Sequence, residues 1–114
     1  MNKRIASLGL MAMALASGSF NALAQDDASL RRGQAIFSNN CMGCHAATPG
    51  NIGTMVLSKR LPREKAVLAQ RDDLAPAFTS AIVRHGIGIM PGFRPTEISD
   101  AELVDLAAYL GRKH

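Results

Sequence analysis

Cys41-Met42-Gly43-Cys44-His45 is the stretch that decides how this chain is read. Two thiols separated by two residues, with an imidazole directly after the second, present two sulfurs and one nitrogen from a single tight turn. A bare pair of cysteines at this spacing also serves zinc sites and redox dithiols. A structural zinc site takes four Cys or His ligands. Cys41 and Cys44 are the only cysteines, and the remaining histidines, His85 and His114, have no finger-like spacing. A redox dithiol would follow a strand in an α/β pattern, and none precedes Cys41. The His completes the attachment signature for a c-type haem. Cys41 and Cys44 are expected to add through sulfur to the two porphyrin vinyl groups, and His45 to supply one axial nitrogen to the iron.

Upstream, the chain of 114 residues begins with a basic Asn2-Lys3-Arg4, an apolar run from Ile5 to Ala16, and a small polar stretch ending Ala22-Leu23-Ala24. This is the pattern of a secretory signal peptide cleaved after Ala24, leaving Gln25 first. The expected organisation is therefore a leader over residues 1–24 and one domain over 25–114. The apolar run is shorter than the roughly 20 residues that span a bilayer, which disfavours the alternative of an uncleaved anchor. Export implies a periplasmic location, where haem attachment to reduced cysteines takes place. A Cys41–Cys44 disulfide fits such a compartment only as a state preceding attachment. Removing Lys3 and Arg4 from the 13 basic residues leaves 11 against 9 acidic ones. Two haem propionates bring that balance near neutrality, so the basic sequence is no argument for nucleic-acid or membrane binding.

Downstream and upstream of the motif the periodicity is helical, with no strand-like alternation over 25–114. Leu30, Gly33 and Phe37 share a face of a helix expected over Asp26–Asn40. A Gly inside a helix costs about 1 kcal/mol against Ala, which points to another backbone approaching at Gly33. Residues 46–58, with Thr48-Pro49-Gly50-Asn51 and Gly53-Thr54, read as loop, and the Thr48–Gly50 turn is the expected source of a carbonyl for the second nitrogen of His45. Pro62 opens a short helix to about Gln70, flanked by Lys59, Arg60, Arg63 and Arg71; these read as a solvated face from which one residue could meet a propionate. Pro76 opens another helix to His85, closed by Gly86. Ser99-Asp100-Ala101-Glu102 is a capping box, with Ile98 and Leu103 as a hydrophobic staple and Leu103, Leu106, Ala107 and Leu110 as the buried stripe of a last helix.

The second axial ligand is expected to be Met90, in the Gly/Pro-rich stretch Gly86–Phe93. A thioether favours ferrous iron and raises the reduction potential. Met42 lies inside the attachment turn and Met55 only ten residues beyond His45, too close to cross the haem. His85 or an open position is the alternative.

These features together resemble the class I cytochromes c: a first helix with Gly33 and Phe37, the attachment motif, a late Met90-Pro91, and a last helix with Leu106, Tyr109 and Leu110. The resemblance covers residues 25–114. It implies an all-α fold whose first and last helices cross at Gly33, haem as the core, and single-electron transfer, with no catalytic residue. The four-helix cytochromes differ, since their motif lies near the C-terminus. Gly53-Thr54-Met55 with Leu57 and Arg60, then Ala66-Val67-Leu68, Arg71-Asp72-Asp73-Leu74, Val83-Arg84-His85-Gly86 and Met90-Pro91-Gly92-Phe93-Arg94-Pro95-Thr96-Glu97, are similar to the cytochrome subunits of para-cresol methylhydroxylase and eugenol or vanillyl-type hydroxylases. Ala75 stands where a helix cap is expected before Pro76. That similarity implies a flavoprotein partner oxidising a 4-alkylphenol, with a downstream acceptor. An electron carrier leaves one haem edge near the surface, so docking is expected around that edge, near Cys41, Met42 and Met90–Arg94, with Arg94, Thr96 and Glu97 as contact residues. A stand-alone electron carrier is the alternative, and a haem enzyme or ligand sensor with a displaceable Met the more distant one.

About 90 residues bury only a modest core, and a covalent porphyrin would supply much of its missing apolar volume. The Cys41→Ala/Cys44→Ala variant is therefore expected to lose most of its far-UV helical circular dichroism; a native-like helical spectrum without haem would contradict this.

Overall fold

The computed structural model describes the backbone of residues 17–114 and the side chains from Asp26 onward. The expected leader, residues 1–24, lies outside the described side chains, and its first 16 residues lie outside the described backbone. The described elements are helices α1 (Ser17–Asn40), α2 (Met42–His45), α3 (Ile52–Ser58), α4 (Arg63–Ala66), α5 (Pro76–His85) and α6 (Asp100–Gly111), with one 3-10 turn at Leu68–Gln70. Among the described residues there is no β-strand, only an isolated bridge between Ile87 and Met90. This is the all-α class I cytochrome c fold.

The frame is the crossing of α1 and α6. Ile36 and Phe37 of α1 pack with Leu103, Leu106, Tyr109 and Leu110 of α6, and Leu106 is completely buried. The Phe37 and Tyr109 rings lie 5.9 Å apart at 44°, a tilted aromatic pair. Gly33 is buried at the contact: a Cβ there would overlap the Asp105 carbonyl oxygen and come within 2.6 Å of Tyr109 Cβ. The backbone approach expected at Gly33 is thus found, and its partner is α6. Beside it, Ser29 Oγ donates to Asp105 Oδ1 at 2.5 Å, and Arg32 donates to both carboxylate oxygens, at 2.6 and 3.1 Å. The buried Asp105 carboxylate is therefore bonded and charge-paired, as burial requires.

Helix α6 starts as its sequence dictates. The Glu102 amide donates to Ser99 Oγ and the Ser99 amide to Glu102 Oε2, completing the capping box. Ile98 and Leu103 are both buried around it, 1% and 6% exposed, as a staple requires. Helix α5 begins with Pro76 in its first turn, after the uncapped Ala75, and ends at Gly86 with φ 71°.

Three expectations need correction. Helix α1 is already helical at Ser17, the first described residue, upstream of the expected Asp26; Ala22, Leu23, Ala24 and Gln25 are good helix formers, so nothing local stops it at Asp26. The helix expected from Pro62 to Gln70 is broken: Val67 takes φ −91°, ψ 99° between α4 and the 3-10 turn. Residues 52–58, read as loop, form α3.

Adding a Cβ at Gly33 gains about 1 kcal/mol of helix propensity but collides with backbone that no rotamer change can clear, an overpacking cost of about 1–3 kcal/mol or more. Gly33→Ala is expected to lower the denaturant midpoint; an unchanged midpoint would show that the helices do not meet there. Hydrogen bonds from Arg32 and then Ser29, which outweigh desolvation, hold the Asp105 carboxyl below the usual carboxylate value of 3.8. Its stabilising share is complete above that unfolded value and is lost as pH falls through the lower folded one. Acid unfolding curves of Asp105→Asn should accordingly flatten below about pH 4 relative to the parent; a parallel curve would remove Asp105 from the account.

Candidate functional site

The attachment motif continues α1 rather than breaking from it. The Cys41 amide donates to the Phe37 carbonyl at 2.9 Å, and the Cys44 and His45 amides donate to the Cys41 carbonyl at 3.1 and 2.9 Å. Positions 41, 44 and 45 are thereby placed at helical i, i+3, i+4 spacing, one face of one turn. Both cysteines are free thiols, Cys41 buried and Cys44 exposed. Burial, with a smaller contribution from Cys44, pushes the Cys41 thiol up to about 11. Burial also lowers the His45 pKa and favours neutral imidazole, the form that ligates metals.

The facing wall is the segment after α5. From Gly86 the chain makes a two-residue reversal, the Ile87 and Met90 amides each donating to the other's carbonyl at 3.0 Å, with Gly88 at φ 59° in the turn. It is then tied down: the Phe93 amide donates to the Val83 carbonyl at 2.8 Å, and Arg84 donates to the carbonyls of Phe93 and Ile98 at 3.1 and 2.8 Å and to Asp100 at 2.6 Å. One half-buried arginine so joins α5, the Met90 segment and the start of α6.

Between the two walls lies a cavity of about 430 Å³, within the usual range for small-molecule sites. Cys41, Cys44, His45 and Met90 all line it. Its remaining walls are mainly apolar: Ile52, Val56 and Leu57 from α3 close one side, and Ile89 and Phe93 another. Arg60 is the charged residue on its lining. Met42, Met55 and His85 are not on the lining and are exposed, so the structure does not bring the alternative ligand His85 to the cavity. Of the other basic candidates, Arg71 pairs with Asp73, as does Lys65, and Lys59 and Arg63 are not on the lining.

The expected carbonyl partner for His45 is not found in the Thr48–Gly50 turn. The Thr48 carbonyl accepts from Asn51 Nδ2 at 2.8 Å, and His45 Nδ1 is buried with no hydrogen-bond partner among the described residues. Sequence offers Arg60 only as one of four flanking bases, and it does not single out the contributions of α3 and Arg84. For α3 a signal exists, the i, i+4 spacing of Ile52 and Val56. For Arg84 no local signal does, since its partners lie 9 to 16 positions away.

The donor set suits haem c: two free thiols, a neutral imidazole and a thioether around an apolar space, with no cluster of three or more His, Cys, Asp or Glu among the described residues to suit a bare metal ion. Fold and cavity define a class I c-type cytochrome, an electron-transfer protein with covalently bound haem c. A family model described as "Cytochrome C oxidase, cbb3-type, subunit III" matches residues 28–110, and the chain belongs to that cytochrome c family. It is similar to cytochrome c6 of Cyanidioschyzon merolae, 31% identical over 73% of each chain, and to cytochrome c6 of Cyanidium caldarium, 31% identical over 73% of this chain and 70% of that one. It is also 33% identical, over 72% of its length, to part of a nicotinate dehydrogenase subunit of Pseudomonas putida, of which it spans only 7%. No solved structure matches. No helix among the described residues is long and apolar enough to cross a membrane.

Proposed function

We propose that this chain is an exported, periplasmic electron carrier, with residues 1–24 removed, whose haem c is held by thioethers from Cys41 and Cys44 and ligated by His45 and Met90. The observation that carries the reading is that these four side chains line one apolar cavity although His45 and Met90 are 45 residues apart in sequence. Haem supplies reversible one-electron chemistry at iron when bound. The two sulfurs anchor it to the end of α1. His45 offers Nε2, since its Nδ1 is packed in the protein. Met90 offers a soft thioether, which favours the reduced state. With His45 and Met90 both holding the iron, no coordination site would remain for a substrate, which separates this reading from a haem enzyme or gas sensor. Ile52, Val56, Leu57 and Phe93 exclude water, and Arg60 provides a cation for a propionate.

Two observations bear on the partner. The similarity to cytochrome c6 runs along most of both chains and supports a free-standing carrier. The similarity to a segment of a nicotinate dehydrogenase subunit supports a cytochrome component that takes electrons from a dehydrogenase. The finer reading, a flavoprotein acting on 4-alkylphenols, rests on the resemblance of stretches between Gly53 and Glu97; the matched relatives add a dehydrogenase but not that substrate class.

The ferric holoprotein is expected to show the weak long-wavelength charge-transfer band of thioether-ligated haem, absent in Met90→Ala, and the ferrous form to bind carbon monoxide only slowly. A missing band with rapid carbon monoxide binding would replace the carrier by an open-site haem protein. Purification from the native source decides the partner: a co-eluting flavoprotein supports the dehydrogenase reading, an isolated cytochrome the free-standing one.

A further inference from the structure

The segment that carries Met90 is fastened in two stages. The first is local to the end of α5. The Phe93 amide donates to the Val83 carbonyl, and the Ile87 and Met90 amides exchange bonds across the reversal. A Cβ on Gly86 would lie 2.5 Å from the Met90 carbonyl oxygen, and one on Gly92 would lie 2.5 Å from that of Arg84. The backbone of 90–92 therefore lies directly on that of 84–86. These contacts close the loop on α5, but they do not tie it to α6.

The second stage is the Arg84 side chain, 18% exposed. Its Nη1 donates to the Phe93 carbonyl at 3.1 Å and to the Ile98 carbonyl at 2.8 Å, and its Nη2 to Asp100 at 2.6 Å. Ile98 is a fixed point, 1% exposed in the core. Between Phe93 and Ile98 the chain makes an exposed turn, in which the Glu97 and Ile98 amides donate to the Arg94 carbonyl. Arg84 thus pins both ends of that turn with one guanidinium. The two carbonyl bonds are part-buried and charge-assisted, the stronger kind. Asp100 is 87% exposed, and an exposed pairing contributes little.

We propose that Arg84 is a positioning residue for Met90: by holding the Phe93 and Ile98 carbonyls it keeps the Met90 segment closed against α6, and so sets how often the thioether leaves ferric iron. This rests on the reading of Met90 as an axial ligand. A thioether favours ferrous iron, so it is in the ferric state that the hold of the protein on the segment counts most.

The test titrates the ferric holoprotein with imidazole. Imidazole binds once the Met90 sulfur–iron bond breaks, and a nitrogen–iron bond replaces it with no electron transferred. Its apparent affinity therefore scales with the open fraction. Arg84→Met keeps the aliphatic stem and removes all three bonds. Arg84→Lys keeps the charge but not the planar fork. Asp100→Asn removes only the exposed pairing, and Ser29→Ala loosens the α1–α6 crossing without touching Arg84. Arg84→Met is expected to bind imidazole about tenfold or more tightly than the parent and Arg84→Lys to lie between, while Asp100→Asn and Ser29→Ala match the parent. Parent-like affinity in Arg84→Met, or an equal rise in Ser29→Ala, would overturn the proposal. If Arg84→Met does not load haem, Arg84→Lys decides in the same two directions. A parent protein without the thioether charge-transfer band would instead remove Met90 as a ligand, so the two failures are distinguishable.

Discussion

Everything in the site depends on one close approach, that of the α1 backbone at Gly33 to the α6 backbone at Asp105. Cys41 continues α1 by a helical hydrogen bond to Phe37, so the direction of α1 fixes the motif. The start of α6 at Ser99 follows the buried Ile98, whose carbonyl is held by Arg84. The same arginine holds Phe93, three residues after Met90. The crossing therefore sets both the proximal wall and the anchor of the facing wall. Asp105 is used twice there, its carbonyl against Gly33 and its carboxylate bonded to Ser29 and Arg32.

Chemistry follows from what the frame leaves open. The walls brought together are mainly apolar, and the polar or sulfur-bearing residues on the lining are Asn40, Cys41, Cys44, His45, Arg60 and Met90. In such surroundings the charged forms of Cys41 and His45 are disfavoured, so both meet a cofactor as neutral groups. The arrangement suits transfer of an electron without bond making: groups held on a helical turn and on a hydrogen-bonded reversal need little reorganisation between oxidation states.

Legibility in the sequence tracks the range of the interactions. The attachment motif, the capping box at Ser99 and the Pro76 and Gly86 boundaries are local, and the structure places each as its residues imply. Met90 stood out because Met42 and Met55 sit too near His45 in sequence, and the structure places it on the cavity lining while leaving His85 off it. Gly33 announced a close approach by its cost, though not its partner atom. Helix α3 carried only the Ile52–Val56 spacing as a signal, outweighed by β-branched Ile52, Thr54 and Val56 and by Gly53, a poor helix former; its contacts with the attachment motif, Gly53 against Cys44 and His45 and Thr54 bonded to Ala46, are tertiary. Arg84 reads as an ordinary helix-end base until its three partners are seen together. The carbonyl expected from the Thr48–Gly50 turn does not reach His45; the Thr48 carbonyl instead accepts from Asn51.

The proposed function stands on one pairing, His45 and Met90 on the same iron. Its most direct test is the proton NMR spectrum of the reduced, diamagnetic holoprotein with methionine methyls labelled. The Met90 methyl should be shifted far upfield by the porphyrin ring current, as only a thioether bound over the ring can be, while Met42 and Met55 stay in the ordinary range. An upfield methyl assigned to Met55, or none at all, would contradict it.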